Sequence, residues 1–331
     1  MNEIILCSKV SIYDKELDET IIYGRSKNIF SDVIIENLNF SFHFCEEKYD
    51  TGSAKFRKEF FLKIKGYIKT INNIIFCFSS KNVNLEKIDV LYPFENCDII
   101  LNTNSAIITT MCKDYEFRLD EWIEYNLKLG FSGIIIFDNK ENNSNNLNES
   151  INNCSTELTM NSLLQKYKSK VWFIDFPYKP LPGDKWNSLQ SISLCIGVTN
   201  FRKHCKNIAL IDADEFIHMP NENNIETFLS NYKTISMKSN ILTNKNRNDL
   251  IDNNILDICL YVGENKYSKI ILDTSTLKEY EFIFNPHQHP SQFFIDRNLI
   301  VHYHCWVNTR YNYKINMKEI DFLKQFKYNN I

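Results

Sequence analysis

The sequence predicts a mixed α/β fold in which a mostly parallel sheet is flanked by helices and preceded by a β-rich N-terminal region. Two patterns predict it. From about residue 104 buried apolar runs alternate with helical periodicities, and acidic or basic residues stand directly after those runs. Before residue 103 there are only short apolar or alternating runs bounded by polar turns.

The runs EIILCSKVSIY, DVIIENLNFSFHF, EFFLKIKGYIKTI and NIIFCFSS read as strands, with room for one helix. Residues 1–103 are therefore expected to form a β-rich accessory domain, and 104–331 a second domain. There SAIITTMC is a buried strand. FRLDEWIEYNLKLG is an amphipathic helix with Leu119, Trp122, Ile123, Leu127 and Leu129 on one side and Gly130 at the position after its end. SGIIIFDN is a second strand. After an Asn-rich loop, LTMNSLLQKYKS predicts a helix, KVWFIDF a third strand, and Leu189, Ile192, Ser193 and Ile196 a further helix leading to NIALIDADEF. Beyond residue 233 the pattern is strand-rich and irregular. In sheets of this kind ligands lie at the carboxyl ends of the strands, where Lys113, Asp138, Asp175 and Asp212 all fall.

Composition excludes several classes. Lys and Arg number 38 against 41 Asp and Glu, a net charge of −3, and the basic residues form no stripe for nucleic acid. The 10 Cys include no CxxC pair, and Cys77, Cys112, Cys195 and Cys259 sit in apolar runs, as expected of buried free thiols in a reducing compartment. No stretch approaches the roughly 20 apolar residues of a membrane span, and the apolar run in MNEIILCSKVSIYDKE is too short to be expected to act as a signal peptide. A soluble, cytoplasmic protein is expected. The heavy use of Asn, Ile and Lys is typical of an AT-rich viral or bacterial genome and makes the Asn-X-Ser/Thr triplets uninformative.

The acidic cluster DADE carries the chemistry. A strand alternates its side chains, so Asp212 and Asp214 are expected to face the same way. Two carboxylates converging there repel one another unless a cation lies between them. Hard oxygen ligands suit Mn²⁺ or Mg²⁺, which would bridge to substrate phosphates and neutralise a leaving diphosphate. His302 and His304 lie two apart on a predicted strand, so a neutral imidazole, His302 foremost, could complete the metal's shell. No Cys shares zinc-site spacing with the cluster His287, His289, His302 and His304.

Three stretches in order, CKDYEFRLDEWIEYNLKLGFSGIIIFDN, WNSLQSISLCIGVTNFRKHCKNIALIDADEFI and Leu299-Ile300-Val301-His302-Tyr303, resemble the family 92 and related family 2-like glycosyltransferases, once grouped as a domain of unknown function. The resemblance covers about residues 105–315. It implies a GT-A fold for 104–331, a nucleotide-sugar donor and usually Mn²⁺. Carried over, Asp212 and Asp214 match the metal and diphosphate motif, Lys113 and Asp138 match nucleotide-binding positions, and His302 matches the His-Tyr motif. Donor-binding residues are then Lys113, Asp138 and Asp212, and metal ligands Asp212, Asp214 and His302. A UDP-sugar, UDP-galactose first, would be the donor and a glycan or glycoconjugate hydroxyl the acceptor, with inversion. Relatives often carry a Trp and a Gly-rich segment between the two late motifs. Here TISMKSNILTNKNRNDL has neither, so the acceptor stays open.

A base must take the acceptor's proton, and Asp249, Asp252, Asp257, Glu264 and Asp273 are candidates that the sequence does not rank. Lys185 and Lys269 could counter a phosphate, although exposure is the commoner fate of lysine. Trp186 and Trp306 pack or stack on a sugar. Two rivals share these features: a metal-dependent nucleotidyltransferase, and a degenerate carbohydrate-binding protein without catalysis.

Overall fold

The computed structural model describes residues 3–44, 58–95, 101–113, 116–140, 160–243, 261–278, 283, 285–305 and 318–319. Two compact units result: Met1–Cys97 with Ile174–Asn200, and Asp98–Phe173 with Phe201–Ile331. Residues 174–200 group with the N-terminal strands.

The first unit contains β1 (Ile4–Leu6), β2 (Ile12–Asp14), β3 (Glu19–Ser26), β4 (Asp32–Ile35), β5 (Phe40–Phe44), β6 (Glu59–Lys65), β7 (Thr70–Cys77) and β8 (Asn82–Asp89). One antiparallel sheet runs β1-β3-β6-β5 with β2 on β3, and a second runs β4-β7-β8. Alternation along these strands turns Ile22, Phe60, Leu62, Val33, Ile74 and Phe76 into one core around Phe30. Among the described residues the N-terminal helix that the sequence left room for is only a 3₁₀ turn at Ser8–Val10. Segment 174–200 is tied to these strands by polar contacts. The Arg25 guanidinium meets Asp184 at 2.6 Å and Glu59 at 2.5 Å, and the Tyr23 and Thr199 hydroxyls lie 2.6 Å apart.

The second unit begins with β9 (Ala106–Cys112), α1 (Glu116–Lys128), β10 (Gly133–Asp138), α2 (Met160–Lys166) and β11 (Val171–Asp175). Helix α3 (Asn187–Phe201), all but its last residue in the first unit, leads back to β12 (Asn207–Leu210), β13 (Glu215–His218), α4 (Ile225–Leu229), β14 (Ile235–Thr243), β15 (Tyr261–Asp273), β16 (Phe293–Phe294), β17 (Val301–Cys305) and β18 (Lys318–Glu319) of the second. The ten-stranded sheet runs β11-β10-β9-β12-β15-β14-β17-β13, with β16 beside β14 and β18 beside β15. Every residue of β9 and β12 is buried, as befits strands covered on both faces.

The mixed α/β class holds, but the expectation of a mostly parallel sheet does not. β10, β9 and β12 are parallel, and β14 is parallel to β16 and β17. β15 is antiparallel to β12, β14 and β18, β13 to β17, and both sheets of the first unit are wholly antiparallel. The parallel rule needs a crossover helix between strands, and among the described residues after 233 there is no long helix to supply one.

Helix α1 forms as its periodicity predicts. Leu119, Trp122 and Ile123 are fully buried, each such side chain contributing about 1.5–3 kcal/mol. It stops because Gly130 takes φ +100°, a left-handed conformation closed to most residues.

Candidate functional site

Because β9 lies between β10 and β12 and parallel to both, the carboxyl ends of the three strands share one edge. Lys113 follows the last residue of β9 and is exposed. Asp138 ends β10, where its Oδ1 accepts the Lys140 backbone N–H at 3.2 Å. The Asn139 N–H donates to the Cys112 carbonyl at 2.9 Å, joining those two ends. Asp212 stands two residues past the end of β12.

Asp212 and Asp214 are not on a continuing strand. The chain turns after Leu210, the Glu215 N–H donates to the Asp212 carbonyl at 3.0 Å, and β13 starts at Glu215. The strand-parity reason for the two acids facing together therefore lapses, and a tight turn places them instead. Helix α1 braces that turn. The Trp122 indole N–H donates to the Glu215 carbonyl at 2.8 Å, and one helical turn on the Tyr125 hydroxyl donates to the Ile217 carbonyl. A buried indole N–H needs such a partner.

Two cations of the protein itself meet the acids. In the antiparallel β12–β15 pairing Leu210 faces Ile270, so Lys269 is the next residue along β15, just past the end of β12. Its side chain, 3% exposed, places Nζ 2.7 Å from Asp212 Oδ2 and 3.2 Å from Glu215 Oε2. The same Glu215 oxygen accepts the Asp212 N–H at 2.9 Å. On the other side β13 pairs with β17, setting Glu215 opposite His304 and Ile217 opposite His302. His304 Nε2 lies 3.1 Å from Asp214 Oδ2. His302 is wholly buried with Nδ1 3.7 Å from Glu215 Oε1, and neither ring nitrogen has a hydrogen-bond partner among the described residues.

The electrostatics follow from this geometry. Burial pushes the Glu215 carboxyl up to about 7, with Lys269 pulling down and Asp212 pushing up. Burial opposes ionisation of Asp212 too, but Lys269 beside it holds its carboxyl below the ordinary range. Lys269 stays charged against its own burial because Asp212 and Glu215 flank it. Burial likewise works against a charged His304, yet Asp214 raises it to about 9. Burial, reinforced by Lys269 and His304, keeps His302 well below its usual value and therefore neutral.

The expected metal ligands Asp212, Asp214 and His302 are near one another in the fold but are not arranged as a coordination shell. No group of three or more His, Cys, Asp or Glu among the described residues is gathered to hold a metal ion. Asp212 is engaged by an ammonium, Asp214 by an imidazole, and His302 faces Glu215. A divalent ion on the Asp212 oxygen that meets Lys269 would stand within about 5 Å of Nζ, a repulsion of roughly 7 kcal/mol at an effective dielectric near 20. The donor set does not fit the metal in this arrangement.

The remaining candidates separate. Asp273 is buried and caps the following turn through the N–H and hydroxyl of Ser275 at 2.9 and 2.7 Å, a structural task. Glu264 pairs with Asn240 on β14. Asp249, Asp252, Asp257, Cys259 and Trp306 lie outside the described residues. Lys185 is exposed and Trp186 half-buried. His287 is held through Nδ1 by the Ser268 carbonyl, and His289 Nδ1 meets the Ser291 hydroxyl at 2.7 Å. Sequence reasoning undervalued Glu215, Lys269 and His304. The available signal for Lys269 was its place at the edge of the apolar run IIL, where burial demands acids as partners.

No known family model matches the chain. Over 129 residues, 39% of the chain, it is 26% identical to the glycosyltransferase family 92 protein Os08g0121900 of Oryza sativa subsp. japonica. The match covers 19% of that protein, so the chain spans about a fifth of this relative's length. That stretch is similar to a glycosyltransferase. The crystal structure of S. aureus TarS 1-349 superposes on 61% of this chain and 60% of its own, at 11% identity and a TM-score of 0.32, too slight a likeness to argue from.

Proposed function

We propose that the chain transfers a sugar from a nucleoside diphosphate sugar to an acceptor hydroxyl, at the edge where β9, β10 and β12 end, on a GT-A-type unit. The observation that carries this reading is the braced turn Asp212–Glu215 immediately beyond β12, beside strand ends bearing Lys113 and Asp138. The partial similarity to a family 92 glycosyltransferase supports the same chemistry.

In the reaction the acceptor oxygen attacks the anomeric carbon. The bond from that carbon to the diphosphate oxygen breaks, and its electron pair leaves with the nucleoside diphosphate. The acceptor's proton passes to a carboxylate base. Lys113, exposed at the end of β9, is suited to hold a phosphate, and Asp138 to accept from ribose or base. Asp212 and Asp214 would orient the donor from the turn. UDP-galactose as donor, inversion, and a glycan or glycoconjugate acceptor rest on the family resemblance.

Incubation with UDP-galactose and mixed glycans tests the proposal through the leaving group. UDP release with a galactosylated product is expected. Pyrophosphate release would instead favour a nucleotidyltransferase, and glycan binding without turnover a non-catalytic lectin-like role.

A further inference from the structure

We propose that Lys269 fills the place that a divalent ion would take beside Asp212, so that this site takes up no metal and binds its nucleotide independently of one. The inference deepens the glycosyl-transfer reading and rests on it for the identity of the nucleotide. What carries it is the disagreement between the residues expected to hold Mn²⁺ and the partners they have.

Lys269 is not a surface lysine that happens to reach an acid. Its position is fixed by the pairing of β15 with β12, whose register from Asn207↔Asp273 to Leu210↔Ile270 delivers residue 269 to the point where the chain turns. On its other side β15 pairs with β14, with Met237 opposite Lys269. The ammonium is buried between strands, with Asp212 at 2.7 Å and Glu215 at 3.2 Å. A buried ammonium is costly unless paired, so a metal that took over Asp212 Oδ2 and Glu215 Oε2 would strand Lys269. Glu215 is fixed further by the Asp212 N–H and by the α1 brace on its carbonyl. Asp214 is already met by His304. Each acid of the DADE turn thus has an intramolecular partner.

The consequence is functional. Two acids at the mouth of a phosphate-binding edge would repel a diphosphate, and a cation must offset them. A metal would do so as an exchangeable part, whereas Lys269 does so as a permanent one. Being buried, it is a positioning and charge-compensating residue, not a catalytic one, while Lys113 remains exposed to meet the phosphates directly.

The test uses the full chain, stripped with EDTA and desalted, and titrates Mn²⁺ alone with the free ion followed by electron paramagnetic resonance. Wild type is expected to show no stoichiometric uptake, and its affinity for UDP to change by less than about twofold between EDTA and Mn²⁺. Lys269→Met, which frees the acids, should gain Mn²⁺ uptake and a metal-dependent affinity for UDP, whereas Lys269→Arg should behave as wild type. A purely structural lysine would give neither gain. Uptake of one Mn²⁺ per wild-type chain, abolished in Asp214→Asn, overturns the proposal, and that arm needs no lysine variant to fold. If wild type takes no Mn²⁺ and binds no UDP under any condition, the resident cation stands and the glycosyl-transfer reading falls.

Discussion

Replacing Trp122 by Phe tests whether helix α1 holds the acidic turn in place. The substitution keeps an aromatic ring in a fully buried pocket but deletes the indole N–H that meets the Glu215 carbonyl at 2.8 Å. Glu215 is 2% exposed, so water cannot readily replace that donor, and leaving the acceptor short costs about 1–3 kcal/mol. The lost five-membered ring leaves a small void costing roughly another 1 kcal/mol. Together the loss is about 2–4 kcal/mol, or a fall of roughly 5–15 °C in Tm for a unit of about 200 residues. Urea denaturation followed by circular dichroism measures the stability change, and UDP titration of the folded variant reads the turn. A weaker affinity for UDP should accompany the loss, since β13 begins at the braced residue. A variant with the midpoint and nucleotide affinity of wild type would refute the brace.

Gly24→Ala should destabilise the first unit by about 1–3 kcal/mol, because the added Cβ would lie 2.4 Å from Phe60 Cζ and 2.7 Å from the Ile5 carbonyl oxygen, which is backbone and cannot step aside. Denaturant titration checks it. Arg25→Met strands the buried Glu59 carboxylate and releases Asp184, and should cost about 3–5 kcal/mol, with proteolysis within residues 174–200 becoming faster than in wild type. His218 should impose an acid limit. Burial lowers its pKa to about 4 from an unfolded value near 6.5, so its neutral folded form is fully favoured above 6.5 and that stability is lost as pH falls toward 4. The change is at most roughly 3 kcal/mol, and stability measured across pH 4–7 should be flatter in His218→Phe.

What the sequence disclosed follows the range of the interactions involved. Helix α1, its end at Gly130 and the strands on either side are set by neighbours a few residues apart, and periodicity reads them. The place of Asp212 at a strand end was legible for the same reason. The turn that carries Asp214 was not, because a short acidic stretch after a buried run looks alike whether the strand continues or stops. Lys269 shows the harder limit. Its burial depends on pairing with a strand some 60 residues earlier, and its place beside the apolar run IIL does not name the acids that pair with it. The two histidines of β17 fall between these cases. Their shared face was evident from spacing, but the β13–β17 register decides that His304 and not His302 meets Asp214. The antiparallel return of β14, β15 and β17 was hidden similarly, since irregular strand-rich segments state no partner.

The central claim is that the turn after β12 handles the leaving diphosphate of a nucleotide sugar. It is tested most directly by following UDP release from UDP-galactose, with and without glycan acceptors, in wild type and in Asp214→Asn. Acceptor-stimulated UDP release that falls by about 10²-fold or more in the folded variant is the expected result. Undiminished release in Asp214→Asn would contradict it, as would a wild type that liberates pyrophosphate but no UDP.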